Sequence, residues 1–201
     1  MRLTVLFPTQ TEAQYFEHPA ATTALCGVGL SSTAYHTLKT IQRDQPDILI
    51  LAGIAGMYPH ADLSLKQTVL VQSECEADLG FFTHEGFVHL SKLPIEMDFE
   101  RRHTVYCPHI PANCPLPQVA SYSMNAALAP FVHPYAVDIE NMEGAAFFHV
   151  CQQEKQRFYE IRTISNEVKL GHDDWDMDGS VRQLAHDLHR FIDFLLATPN
   201  A

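Results

Sequence analysis

The chain predicts an α/β fold, a three-layer sandwich whose central mixed, twisted sheet is flanked by helices, and three observations carry that expectation. Leu3 to Phe7 and ILILA after Pro46-Asp47 are short apolar runs with β-branched members, as in strands covered on both faces, and Phe158 to Ile164 reads as another. Helical spacing separates such runs and closes the chain, with Val181, Leu184, Leu188, Ile192 and Leu195 on one stripe. Glycine-rich turns, GVG at Gly27 to Gly29 and GIAG at Gly53 to Gly56, stand where strand-like runs end.

In chain order, the first strand is followed by TQTEAQ and then by Ala24-Leu25-Cys26, a second strand end. GVGLSSTA opens an amphipathic stretch through Leu38 and Ile41, and ILILA follows, so the grammar is strand, glycine turn, helix, strand. From Thr68 to Ser121 short strand-like pieces (TVLVQ, FVHL, HTVYC, QVASYS) alternate with Gly and Pro. Met142 to Cys151 reads as a helix, and the last helix runs from Asp178, as its N-cap, to Leu196. Nothing divides the 201 residues, so 1–201 reads as one domain.

Hydrophobic residues at 46% against 18% charged describe a chain that buries a sizeable core. A net charge of −11 repels a phosphate backbone and argues against a nucleic-acid partner. The opening apolar run breaks at Pro8, too soon for an export signal or a membrane span, so a cytoplasmic protein without a membrane partner is expected. The five cysteines, an odd number without a CxxC pair, read as free thiols. His103, Cys107, His109 and Cys114 fit no standard zinc spacing, so no metal is expected. The GVG turn has Ser32 where a dinucleotide fingerprint needs a third glycine or alanine, so no cofactor is expected either.

Chemistry concentrates in four segments. GVG and GIAG are ligand-facing loops or plain turns; at strand ends they make a floor for a flat ring. IENMEG, Ile139 to Gly144, sets Glu143 at a strand-to-helix junction, either as a pocket carboxylate or as a helix cap. ISN, Ile164 to Asn166, ends a strand with Ser165 and with an amide that matches a base edge carrying both a carbonyl and an N–H, or merely closes the loop.

In this order GVG, GIAG, ENMEG and ISN resemble the nucleoside phosphorylase superfamily in its nucleosidase branch, over nearly the whole chain. ENMEGAAFF, SN in place of SD, and ADLGFF at Ala77 to Phe82 are most similar to the futalosine hydrolases, menaquinone-pathway enzymes that release hypoxanthine from futalosine. The resemblance implies a hydrolase of a small-molecule purine nucleoside, a homo-oligomer, with Glu12, Glu143 and Asn166 as catalytic residues. It implies that Glu12 activates water, that Met142 packs on ribose or base, and that Glu143 holds the ribose hydroxyls. Asn166 would contact N7 and the six-substituent. Gly29, Ile54, Ala55, Gly56, Met142 and Ser165 are the expected binding residues. Arg101, Arg102, Lys169 and His172 are candidates for an anionic tail, and Trp175, in the loop from Lys169 to Asp178, for a packing lid.

Three rivals remain. A methylthioadenosine/S-adenosylhomocysteine nucleosidase carries aspartate at the Asn166 position. A purine nucleoside phosphorylase draws on arginines near the first glycine loop, whereas Thr4 to Lys39 has none, although a neighbouring subunit could supply one. An inactive nucleoside-binding protein would not require Glu12.

Overall fold

The computed structural model describes residues 1–94, 98, 100, 102–170 and 175–198. Its strands are β1 (Leu3–Phe7), β2 (Ala21–Leu25), β3 (Ile48–Met57), β4 (Thr68–Glu76), β5 (Gly80–Thr83), β6 (Gly86–His89), β7 (Val105–Tyr106), β8 (Gln118–Ser123), β9 (Ile139–Asn141) and β10 (Phe158–Glu167). The helices are α1 (Gln10–Ala13), α2 (Leu30–Asp44), α3 (Gly144–Gln153) and α4 (Met177–Ala197), with a short 3₁₀ turn at Leu90–Lys92.

β1, β3 and β10 are the long buried strands that the apolar runs announce, and they pair in parallel. β2 extends the sheet beyond β1, while β4 runs antiparallel to β10 and parallel to β8. β8 pairs with β9, and β9 returns antiparallel to the far end of β3. The mixed sheet therefore curls until β3, β10, β4, β8 and β9 close a ring. Helices cover both faces. On β10, Phe158 meets Phe147 and Phe148 of α3 edge to face, whereas the next residue, Tyr159, meets Phe191 of α4. Successive strand residues point to opposite faces, so α3 and α4 lie on opposite sides. α2 packs on α3, and α1 lies against α4.

Four boundaries differ from expectation, each for a local reason. GIAG is not a loop after β3 but its second half, because β10 stays paired with β3 as far as Met57. ISN likewise lies inside β10, where the register slips between Ile164 and Asn166. Ser165 is the extra residue of a bulge, a feature that bends a strand and re-aims its side chains. The last helix is capped by Asp176, whose carboxylate accepts from Gly179 N at 2.9 Å, and Asp178 bonds Tyr15 and Arg182 instead. α3 starts at Gly144, two residues later than expected. All five cysteines are unbridged, and among the described residues no helix is long and apolar enough to cross a membrane.

Candidate active site

The site opens where the sheet splits. Along one edge of β3, β1 pairs as far as Leu51 and β9 begins at Gly56. Among the described residues no strand covers that edge from 52 to 55. Ile54 sits in this gap, and its free N–H and C=O both find side chains: Ile54 N donates to Glu12 Oε1 at 3.1 Å, and Arg162 Nη1 donates to Ile54 O at 3.2 Å.

Glu12 is brought there by α1, whose N-cap Thr9 accepts from Glu12 N. The Thr9 hydroxyl in turn donates to Glu12 Oε2 at 2.6 Å. Only 6% of Glu12 is exposed. Burial pushes its carboxyl above the ordinary value of 4.5, against the pull of Thr9, Arg162 and the Ile54 N–H.

Arg162 is buried on β10 opposite Gly53. Its guanidinium crosses that glycine to reach the gap, and a Cβ there would lie 2.5 Å from Nη1 and 2.9 Å from Glu12 Oε1. Gly53 is thus required by close approach, not by a turn. Arg162 Nε donates to Glu160 Oε1 at 2.7 Å, and Nη2 donates to Glu143 Oε2 at 3.2 Å and to Asn141 Oδ1 at 3.1 Å. Burial disfavours the guanidinium's charge, but Glu160 and Glu143 outweigh it and hold Arg162 protonated.

Glu143 occupies the N-cap position of α3, yet its side chain does not cap that helix. Asn141 Oδ1 does so, accepting from Glu143 N and Gly144 N at 2.8 Å each. Relieved of capping, the Glu143 carboxylate accepts from Arg162, from Met142 N and, at 3.2 Å, from Gly29 N. Gly29, at φ 89°, turns that N–H inward and does not line the cavity, a place taken by Val28.

A cavity of about 310 Å³ collects these groups. Glu12, Glu143, Asn166, Ile54, Ala55, Gly56, Met142 and Ser165, all expected from the sequence, line it, as do Glu140, Asn141, Trp175 and Met177. Its described lining contains no lysine or arginine. Asn166 is steadied by Ser165, whose hydroxyl donates to Oδ1 at 2.9 Å, and Nδ2 donates to Glu167 O at 3.1 Å. One N–H and one lone pair of the amide remain for a ligand. Glu140 accepts from Tyr58 Oη and Leu128 N, and burial raises its carboxyl.

Of the tail candidates, Arg102 bonds His149 away from this cavity and Lys169 is exposed outside its lining. Arg101 and His172 lie outside the described residues. Sequence reasoning missed Arg162, although Glu160 and Arg162 sit two apart in an otherwise apolar run and had to find partners.

The fold is shared with known proteins. No protein-family model matches the chain. A 5′-methylthioadenosine/S-adenosylhomocysteine nucleosidase from Helicobacter pylori has the same fold, with a TM-score of 0.75 at 15% identity over 97% of this chain and 99% of that one. A futalosine hydrolase from the same organism superposes with a TM-score of 0.75 at 15% identity, covering 97% and 98% of the two chains. The curated futalosine hydrolase of Thermus thermophilus is 31% identical over 191 residues, covering 81% of this chain and 82% of that protein. The fold and this similarity define a hydrolase of N-glycosyl bonds that takes small-molecule nucleosides. The chain belongs to the futalosine hydrolase family.

Proposed function

We propose that the protein hydrolyses futalosine to hypoxanthine and dehypoxanthine futalosine, with Glu12, Glu143 and Asn166 as its catalytic residues. The observation that carries the reading is the convergence of these three side chains on one cavity whose described lining offers no cation for phosphate. With that substrate the reaction belongs to menaquinone biosynthesis.

Cleavage of the N-glycosidic bond passes through an oxocarbenium-like state, so negative charge beside the ribose lowers the barrier. Glu143, oriented by Arg162 and Gly29 N, holds the ribose hydroxyls and supplies that charge. Glu12 takes the proton of a water as its oxygen attacks the anomeric carbon. Asn166 offers its remaining N–H to O6 and its remaining lone pair to the N7–H that forms as N7 takes up a proton from solvent water. Met142 packs on the ribose or base, Ile54 to Gly56 form the floor, and Trp175 closes the rim. The chain works as a homo-oligomer in the cytoplasm; Val28, 54% exposed at the cavity, and Phe82, 67% exposed, support a covering partner.

Base release from futalosine, inosine and methylthioadenosine, followed by chromatography, tests the substrate. A hypoxanthine nucleoside is preferred over its adenine counterpart, and release of adenine alone would refute the reading. Asn166→Asp narrows or inverts the kcat/KM ratio of the two by roughly ten- to hundredfold, because an ionised carboxylate faces O6 with lone pairs only. An unchanged ratio would remove Asn166 from base recognition. Glu143→Gln lowers kcat more than it raises KM, since its contact strengthens as charge develops on the sugar. Equal losses would assign Glu143 to ground-state binding.

A further inference from the structure

Behind the cavity wall lie two more carboxyl groups, Glu74 on β4 and Glu160 on β10, both fully buried. They meet across Gly144, where a Cβ would collide with Glu74 Oε1 and lie 2.5 Å from Glu160 Oε2. The surroundings of the two differ. Glu160 Oε1 is bonded to the Arg162 guanidinium, while Glu160 Oε2 has no hydrogen-bond partner among the described residues. Glu74 receives only neutral donors, Ser123 Oγ on Oε2 at 2.8 Å and Asn141 Nδ2 on Oε1 at 2.6 Å.

Arg162 is the cation bonded here, and it already serves Glu160 and Glu143. A third buried carboxylate would stand uncompensated against Glu160, at a cost that a buried acid avoids by keeping its proton. A proton between the two groups removes that repulsion and gives the orphaned Glu160 Oε2 a donor. We propose that Glu74 and Glu160 form an acid–carboxylate pair, with the proton carried by Glu74 and donated to Glu160 Oε2. The pair holds Arg162, and through it Glu143, in position for the reaction. The second half of this proposal rests on the hydrolytic reading above.

Burial and the charge of Glu160 push Glu74 well above the ordinary carboxylate range. Burial also raises Glu160, but Arg162 opposes it, so the proton resides on Glu74. Among the described residues, the other titratable groups facing the pair leave it no second cation. Glu143 and Glu12 are carboxyls, Cys75, Cys107 and Cys151 are thiols raised by burial, and Tyr58 is a raised phenol. Glu74 and Glu160 are positioning residues, since neither lines the cavity.

The test starts without substrate. Infrared spectra of the ¹³C-glutamate-labelled protein at neutral pH show the C=O stretch of a buried carboxylic acid. Glu74→Gln abolishes this band. Glu160→Gln shifts the band without abolishing it, because burial keeps the proton on Glu74 while its hydrogen-bond acceptor changes from a carboxylate to a neutral amide, whereas Glu140→Gln leaves it in place. Absence of the band from the wild type, its survival in Glu74→Gln, or an unshifted band in Glu160→Gln overturns the pair. Should Glu74→Gln fail to fold, Glu160→Gln decides. With futalosine, Glu160→Gln lowers kcat by on the order of ten- to hundredfold with little change in KM, as expected when a guanidinium loses its anchor. Glu74→Gln flattens the alkaline limb of the kcat profile, where the wild type loses the shared proton. Equal effects on kcat and KM, with an unaltered limb, overturn the positioning role. The infrared result is read in the free protein, so it stands or falls separately from the choice of substrate.

Discussion

Glu12→Gln lowers turnover by at least ~10²-fold while the nucleoside still binds, the scale of a lost general base. The substitution is close to isosteric, and the amide oxygen can still accept from Ile54 N, so the local backbone is retained. Because burial raises Glu12 above 4.5, the wild-type acid limb of kcat/KM lies above the ordinary carboxylate value. The same shift fixes a sign for stability. A group that holds its proton more tightly when folded contributes stability below its unfolded value of 4.5, which is lost as pH rises through the folded value. Glu12→Gln, which cannot ionise, therefore unfolds at a higher denaturant concentration than the wild type at neutral pH, and the gap closes in acid. Turnover near wild type would assign water activation to another group.

Arg162→Ala costs about 3–5 kcal/mol of stability at neutral pH, the usual range for removing one partner of a buried ion pair. It strands Glu143 and Glu160, whose carboxylates bond the guanidinium at 3.2 and 2.7 Å, and it also leaves Ile54 O without its donor. Lost packing alone would be insensitive to pH, whereas stranded carboxylates are relieved on protonation. Denaturant midpoints measured across pH should show the penalty shrinking as pH falls; a constant penalty would make Arg162 a space-filling residue.

What the sequence revealed and what it hid follow from the range of the forces involved. β1, the first half of β3 and α4 are local patterns of apolar spacing, and they were legible as such. Glu143, Ser165 and Asn166 were legible in polar segments that read as strand ends, Glu12 and Met142 only through the family resemblance those segments carry, and all five line the cavity. The continuation of β3 through GIAG was hidden, because the glycines that read as a turn serve close approach instead, Gly53 to Arg162 and Glu12, Gly56 to Val168 and Asn166. The closure of the sheet was hidden as well, since it depends on three residues of β9 meeting the far end of β3. Glu74 gave little signal, because QSECE reads as the polar end of a strand until Glu160 and Asn141 are placed around it.

The most direct test of the central claim is to incubate the purified protein with futalosine in phosphate-free buffer and identify both products by chromatography. The account predicts hypoxanthine and a sugar with a free anomeric hydroxyl, at a rate unchanged by added phosphate. A strict phosphate requirement, with a sugar 1-phosphate as product, would contradict it.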